Sequence, residues 1–332
     1  MQITTALTRY LSELAQPVVT DYELCLAIFN LFHAKKYREN VIEIDKRTKP
    51  SLKYLKTNIV APLIELGIIF PLADFPNERV FQILGKQQDA EDIACTVDPF
   101  AYISHLSAMA YHGLTNRLPK VIYLSSPSPK DWAKFANKKM EKDYSGHFKE
   151  FLDYGLPRIT RINFNTIQRN KIFRYSSVHQ GAFKHIDGRM LRVSTIGRTF
   201  LDMLRKPDYC SSMYHVVGIF KNNGQQYSKL IIDEIDRHGT NIEKARAGYL
   251  LEEVLQIKDI RIDEWAKNVQ RGGSRKLDPK QPYREIFSER WCLSLNMDLQ
   301  SMKLLEGIDT AINASICMYR VHKQTLFVTL CK

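Results

Sequence analysis

Residues 98–127, DPFAYISHLSAMAYHGLTNRLPKVIYLSSP, constrain the fold of this chain more than any other stretch. Asp98-Pro99 is typical of a helix start, and Gly113 is typical of a helix stop because glycine adopts the left-handed conformation without steric cost. The residues from Val121 to Leu124 have the β-branched and aromatic character of a strand. We therefore predict a helix that begins at Asp98, ends at Gly113 and is followed by a strand.

Length and charge set the next limits. At 332 residues, the chain is long enough for two domains. Its 44% of hydrophobic residues suffices for ordinary cores and excludes global disorder. Lysine and arginine outnumber aspartate and glutamate by 48 to 36, a formal net charge of +12. Such an excess favours a polyanionic partner, nucleic acid before a membrane surface, although a basic surface can also serve solubility alone.

The cysteines and the N-terminus bear on where the protein works. No two cysteines have CxxC spacing and no histidines have zinc-finger spacing, so neither a metal site nor a disulfide scaffold is expected. The first residues, MQITTALTRYLSELAQ, are amphipathic and lack the features of a secretory signal. No stretch reaches the ~20 apolar residues of a membrane span. We therefore predict a cytoplasmic protein with reduced thiols and no membrane partner.

The first 88 residues have the element order of a winged helix-turn-helix. Helical periodicity covers residues 4–15, 21–36 and 51–66, with Thr20 or Asp21 as the cap of the second helix, and Pro62 is expected to kink the third helix or split it in two. Two β-rich segments follow, residues 68–72 and 79–84. In this fold the last helix enters the major groove and the hairpin contacts the DNA backbone.

Basic residues concentrate on the third helix. Lys49, Lys53 and Lys56 have i, i+4, i+7 spacing, which places them on one helical face opposite the apolar one. Such a row also occurs on solvated amphipathic helices, and small winged helices also serve as protein-binding modules, so both alternatives stay open. We predict that DNA is contacted by Lys46, Arg47, Lys49, Ser51, Lys53, Tyr54, Lys56, Thr57 and Arg79.

Beyond a polar linker at residues 85–94, the pattern is that of a mixed α/β domain. Residues 158–164 alternate with period two, as a half-buried strand does. Residues 182–186 and 190–193 read as a hairpin because Asp187-Gly188 suits a type I′ turn. Helices are predicted from Thr195 and over residues 211–221, 228–238 and 242–256. We place this domain at residues 95–296 and treat residues 297–332 as an extension.

The motifs of common enzyme classes are missing. The sequence has no P-loop, no GxSxG, no GxGxxG after a strand and no HExxH, so we expect no catalytic residues, no cofactor and no enzyme activity. A metal-dependent nucleic-acid-processing enzyme with an unrecognised active site remains the alternative, since metal-dependent nucleases with a degenerate carboxylate/lysine constellation have weak sequence signatures. A scaffold that binds a protein partner and no nucleic acid is a third hypothesis.

Four separate pieces of the sequence carry a resemblance to a known family. They are SAMAYHGLT (107–115) with the strand that starts at Val121, VSTIGRTFLD (193–202), ARAGYLLE (245–252), and LDP (277–279) with RWCLSLN (290–296). In order and spacing they resemble the AbiEi antitoxins of type IV abortive-infection toxin–antitoxin systems. The resemblance covers roughly residues 1–296 and is weaker in the first 90.

The resemblance implies a division of labour. Members of the family bind inverted repeats in their own promoter through a winged helix, repress the operon, and counteract a nucleotidyltransferase-like toxin without a stable complex. A dimer on the DNA would suit such repeats. The family motif residues in this sequence are His112, Gly113, Leu114, Arg198, Asp202, Arg246 and Gly248. We expect them to stabilise the fold, because a glycine can end a helix or allow a close neighbour, and an arginine and an aspartate four residues apart on a helix can form an ion pair.

Overall fold

The computed structural model describes residues 1–45, 48–144, 146–177, 181–269 and 275–298. Contacts divide the chain into two compact units, Met1–Asp202 and Met203–Lys332. Both contain helices and strands, which confirms the predicted mixed α/β class. The predicted boundary between residues 88 and 95 lies inside the first unit and stays a prediction, and the extension lies outside the described residues from residue 299 onward.

The N-terminal part of the first unit contains four helices and a small antiparallel sheet. The strands β1, β5 and β4 are hydrogen-bonded in that order. The bounds are α1 Ile3–Glu13, β1 Val18–Thr20, α2 Asp21–Ala34, β2 Lys36–Tyr37, β3 Asn40–Val41, α3 Leu52–Leu55, α4 Ala61–Glu65, β4 Ile69–Pro71 and β5 Val80–Ile83.

Helix α2 begins where the sequence predicts, and its capping is local. The Thr20 side chain accepts a hydrogen bond from the Glu23 backbone N–H, and the Glu23 carboxylate accepts one from the Thr20 backbone. This reciprocal capping box satisfies two donors that the helix itself cannot. The helix ends at Ala34, two residues before the predicted end, because Lys35 has a left-handed φ of 50°.

The predicted third helix is one continuous run with a changed hydrogen-bonding pattern in its middle. α3 leads into a π-helical segment, Lys56–Val60, and then into α4. The Ala61 N–H donates to the Lys56 carbonyl, five residues back. Pro62 follows at once, and because a proline ring in a regular α-helix clashes with the carbonyl four residues earlier, the π turn accommodates it. The kink or split predicted at Pro62 thus takes the form of a π segment just before it, which separates α3 from α4.

The core under these helices draws on a distant part of the chain. Phe29 of α2 contacts Tyr144 and Phe151 edge to face, with ring centroids 5.7 Å and 5.5 Å apart. Met140 and Leu156 belong to the same buried cluster. Met140, Tyr144, Phe151 and Leu156 therefore complete this core of the N-terminal part.

A six-stranded mixed sheet forms the rest of the first unit, with strand order β10-β11-β6-β7-β9-β8. Its central strands β7 and β9 run parallel over seven residue pairs. The bounds are α5 Ala90–Val97, β6 Tyr102–Ile103, α6 His105–Tyr111, β7 Val121–Pro127, α7 Pro129–Tyr144, α8 Phe148–Asp153, β8 Thr166–Ile167, β9 Asn170–Ser177, β10 Phe183–His185, β11 Arg192–Ser194 and α9 Ile196–Arg205, which crosses into the second unit.

The prediction of a helix starting at Asp98 is wrong. Asp98 lies at the end of α5, and the next helix begins at His105, although Gly113 follows its end with the expected left-handed φ of 66°. The Asp98 carboxylate is buried and accepts hydrogen bonds from Ser126 Oγ (2.8 Å) and Trp132 Nε1 (2.9 Å). Its side chain serves tertiary structure and does not cap a helix.

Two further predictions need correction, and one is confirmed. Residues 90–94 of the predicted linker belong to helix α5, whose Ile93 and Ala94 are fully buried. Residues 158–164 form no strand, and only residues 162–164 among them alternate between buried and exposed. The predicted hairpin around Asp187-Gly188 is present, with β10 and β11 antiparallel, but its turn is not of type I′, because Gly188 has a positive φ (73°) and Asp187 does not.

The second unit is mainly helical as far as it is described. The predicted helices over residues 211–221, 228–238 and 242–256 are present, the last continuing into a π-helical segment, Tyr249–Val254. None of the described helices of the chain combines the length and apolarity that crossing a membrane requires. The bounds are α10 Met213–Asn223, α11 Ser228–His238, α12 Asn241–Gly248, α13 Ile260–Lys267, β12 Phe287–Ser288 and β13 Leu293–Ser294.

Candidate nucleic-acid interface

The helical run from α3 to α4 has one apolar and one basic face. Leu55, Ile59 and Leu63 are fully buried beneath it. Lys53 and Lys56 are exposed on the other side. This division follows from the 3.6-residue period, which separates residues 53 and 56 from the buried row. The basic face defined by Lys53, Lys56 and the adjacent exposed Thr57 is the core of the candidate interface.

Lys49 does not share this helical face, contrary to the expected i, i+4, i+7 row. The helix begins at Leu52 with Ser51 as its cap, so Lys49 lies in the preceding loop, where it is exposed. Lys46 and Arg47 lie outside the described residues.

Two of the predicted contact residues take part in folding the helix. Ser51 Oγ accepts a hydrogen bond from the Tyr54 backbone N–H, which satisfies one free donor at the helix start. The Tyr54 ring is partly buried and meets Phe32 edge to face, with centroids 6.0 Å apart. Ser51 and Tyr54 therefore position the basic face.

Arg79 is held by other protein groups. Its Nε donates to Asp21 Oδ2 (2.9 Å) and its Nη2 to Thr160 Oγ1 (2.7 Å), and only 23% of its side chain is exposed. The ion pair fastens the start of β5 to the start of α2. Arg79 thus has a structural role at this place, and few of its donors remain for a phosphate.

Within the described part of the chain, the basic face has no acidic neighbour at ion-pair distance. Among the described residues, no aspartate or glutamate oxygen lies within 4.0 Å of the ammonium of Lys49, Lys53 or Lys56. Exposed cations without an internal partner attract polyanions through released counterions. Asn58 is exposed beside them, and its side-chain amide donates to the Tyr54 carbonyl at 3.1 Å.

The sequence gives no sign of the segment that supports the start of this helix. The Leu52 N–H donates to the carbonyl of Tyr154, which follows α8, at 3.4 Å. Since the two residues are 102 positions apart, no local pattern could reveal this contact. The end of α8 therefore also helps to position the basic face.

The first of the four pieces that resemble the family, residues 107–115, connects the end of α6 to β11 in the first unit. His112 Nε2 donates to the Ser194 carbonyl at 2.7 Å, and burial lowers the pKa of this imidazole despite that bond. Gly113 has a left-handed φ, and Leu114 is buried. The first piece (107–115) and the second piece (193–202) are therefore in direct contact, because Ser194 belongs to the second.

Arg198 and Asp202 form the i, i+4 ion pair that their spacing permits. The Arg198 Nε lies 2.9 Å from Asp202 Oδ1, and both side chains are fully buried. A Cβ on Gly181 would lie 2.3 Å from the Arg198 side chain, so only glycine leaves room for the guanidinium. The pair is part of the core of the first unit and has no access to solvent.

The third and fourth family pieces meet in the second unit. Arg246 donates to the carbonyls of Lys276 (3.1 Å) and Leu204 (3.0 Å). A Cβ on Gly248 would lie 2.0 Å from the fully buried ring of Trp291. Arg246 and Gly248 are thus packing residues, as their residue types suggest.

Comparisons with known proteins identify similar solved structures but no family. The chain matches no protein-family model and no curated protein. Among solved structures, the Rv2827c protein from Mycobacterium tuberculosis aligns with a TM-score of 0.44 and 11% sequence identity, over 91% of this chain and 95% of that chain.

Proposed function

We propose that this protein is a DNA-binding transcriptional autoregulator and the antitoxin of a type IV toxin–antitoxin pair. In this proposal the first 88 residues form a winged helix-turn-helix. The order α1-β1-α2-α3/α4-β4-β5 and the antiparallel sheet β1-β5-β4 are compatible with that fold. The helix from Leu52 to Glu65 would be the recognition helix and the β4–β5 hairpin the wing.

One observation carries the DNA-binding part of the proposal. Lys53 and Lys56 are exposed on a helix whose opposite face is anchored in the core, and no described carboxylate pairs with them. A helix held in this way presents its cations at fixed positions. Contacts from them to phosphates fix the orientation of a protein on the duplex, and neighbouring polar groups such as Thr57 can then reach base edges.

The antitoxin part rests on the resemblance of the four family pieces. These pieces pack in two pairs, the first with the second through His112 and Ser194, and the third with the fourth through Gly248 and Trp291. Residues that hold a fold together are what a shared architecture requires. On this basis the domain counteracts a nucleotidyltransferase-like toxin, and the protein acts on inverted repeats in its own promoter, where a dimer would match the repeat.

A gel-shift titration with the DNA upstream of the protein's own reading frame tests the proposal. We expect Lys53→Ala/Lys56→Ala to weaken binding by roughly tenfold per lysine at ~0.1 M salt, because each lost phosphate contact removes about 0.9 from the salt slope. The matched control is Lys229→Ala/Lys258→Ala, which removes the same charge from exposed positions of the second unit. Equal effects of the two double variants would contradict a specific role of the basic face.

The two halves of the proposed function can be separated. We expect Lys53→Ala/Lys56→Ala still to restore growth of cells that express the cognate nucleotidyltransferase-like toxin. Loss of this rescue in a folded variant would argue against the division of labour. Cleavage of DNA or RNA with magnesium or manganese, abolished by a chelator, would favour the nuclease hypothesis.

A further inference from the structure

Two histidines and a glutamate converge on the surface of the first unit. His33 lies in the last turn of α2, His147 immediately precedes α8, and Glu150 lies in the first turn of α8. His33 Nε2 is 3.3 Å and His147 Nδ1 is 3.6 Å from the same oxygen, Glu150 Oε2. We infer that these three side chains form a binding site for a divalent transition-metal ion of the zinc class.

The distances suit a tetrahedral ion. Zinc binds imidazole nitrogen and carboxylate oxygen at ~2.0–2.1 Å, so two ligand atoms of a tetrahedron are ~3.3–3.4 Å apart. The two nitrogen–oxygen distances of 3.3 Å and 3.6 Å are close to this edge, and the three ligand atoms all lie within 4.8 Å of one another. Because 4.8 Å is wider than this edge, we expect the imidazoles to turn towards each other when an ion binds.

The Glu150 carboxylate is already oriented so that one of its oxygens, Oε2, can bind an ion. Glu150 Oε1 accepts a hydrogen bond from the Tyr154 hydroxyl at 2.8 Å, which leaves Oε2 for the histidines. That hydrogen bond also raises the pKa of the Tyr154 hydroxyl. A partner that fixes the second oxygen of a carboxylate ligand is characteristic of metal sites.

Ring contacts restrict the positions of both histidines. The Phe29 ring packs against His33 with centroids 4.4 Å apart, and the His33 and His147 rings are 4.6 Å apart. Phe29 in turn belongs to the buried core with Phe151. Because the packing restricts both α2 and α8 at this point, little order has to be gained when an ion binds.

The chemistry of the ligand atoms indicates the class of metal. Two imidazole nitrogens and one carboxylate oxygen suit zinc and cobalt more than magnesium or calcium. The side chains are 33%, 56% and 39% exposed, so an ion can enter from solvent and a fourth ligand can be water.

Isothermal titration of the metal-free full-length protein with zinc chloride tests the site. We expect one equivalent to bind, and we expect His33→Ala and His147→Ala each to weaken binding more than tenfold. Tyr154→Phe should weaken it less than loss of a ligand does, since it removes only the orienting hydrogen bond. His238→Ala, at an exposed histidine of the second unit, is the matched control and should bind as the wild type does.

Cobalt gives an independent readout. Titration with Co²⁺ should produce the strong visible ligand-field absorption of a four-coordinate site, and Glu150→Gln should remove it while the far-ultraviolet circular dichroism stays unchanged. Glu150→Gln also covers the case in which His33→Ala fails to fold, because it preserves the size of the side chain. Absence of one-equivalent binding in the wild type, or binding unaffected by His147→Ala and Glu150→Gln, would overturn the inference.

Discussion

The lysines of the candidate interface and the arginines of the second unit carry the same charge in opposite surroundings. Lys53 and Lys56 extend into solvent, and no described carboxylate pairs with them. In the second unit, by contrast, Arg205 binds Glu243 (2.6 Å), Arg261 binds Asp259 (2.9 Å) as well as Asp233, and Arg290 binds Glu252 (2.6 Å).

The difference shows that net charge alone does not locate a nucleic-acid surface. The formal charge of +12 counts both groups equally. Because a guanidinium can form paired hydrogen bonds with a carboxylate, these arginines bind acidic side chains of the protein itself. A lysine on a solvated helix face, in contrast, stays available to an external anion. Stability should therefore depend on the arginines and DNA binding on the lysines.

The largest expected effect on stability is that of Arg205→Ala. The Arg205 and Glu243 side chains are only 8% and 6% exposed, and Arg205 donates to both carboxylate oxygens. Removing one partner leaves a buried charge without compensation, which costs about 3–5 kcal/mol. Urea unfolding at neutral pH measures this loss, and a change below about 1 kcal/mol would mean that the pair contributes little to the fold.

A smaller effect of the same ion pair should appear in the pH dependence of stability. Burial alone would raise the pKa of Glu243, but the hydrogen bonds from Arg205 and from the Thr240 N–H hold it below its ordinary value of 4.5. A group with a depressed folded-state pKa stabilises the protein above the unfolded-state pKa and loses that contribution as the pH falls through the folded-state pKa.

Comparing the wild type with Glu243→Gln isolates this contribution. The difference in the free energy of unfolding between them should be largest near neutral pH and should shrink as the pH falls below about 4.5. Urea titrations at several pH values provide the measurement. A difference that stays constant over this range would show that Glu243 does not titrate in the folded state as described.

The smallest expected effect sharpens the contrast. Lys53→Ala/Lys56→Ala should change the free energy of unfolding by no more than about 0.5 kcal/mol per residue, because exposed side chains without partners contribute little to stability. The same urea experiment serves as the measurement. A loss comparable to that of Arg205→Ala would erase the distinction between the two regions and remove the basis for assigning the lysines to DNA.

Features set by neighbours in sequence were predictable, and features set by distant partners were not. Thr20 and Glu23 cap α2 across three residues, and Gly188 supplies the positive φ in the turn between β10 and β11. Asp98 has the appearance of a helix start, yet its carboxylate binds Ser126 and Trp132, 28 and 34 positions away. The period-two pattern predicted for residues 158–164 matches the observed burial only at residues 162–164, and burial there does not require pairing with another strand.

The same rule applies to the candidate interface. The exposure of Lys53 and Lys56 follows from helical periodicity and was therefore predictable. The engagement of Arg79 with Asp21 and Thr160 depends on contacts across 58 and 81 positions, which no spacing rule encodes. The convergence of His33 with His147 and Glu150 is likewise tertiary.

The long-range core of the first unit has a consequence for anyone who wishes to isolate its activity. A fragment ending at residue 88 would lack the side chains that cover α2, and Phe29, now 1% exposed, would face water together with its neighbours. Such a fragment would tend to aggregate through this uncovered patch. The smallest piece worth expressing therefore includes Met140, Tyr144, Phe151 and Leu156, and ending it at Arg205 keeps α9 whole.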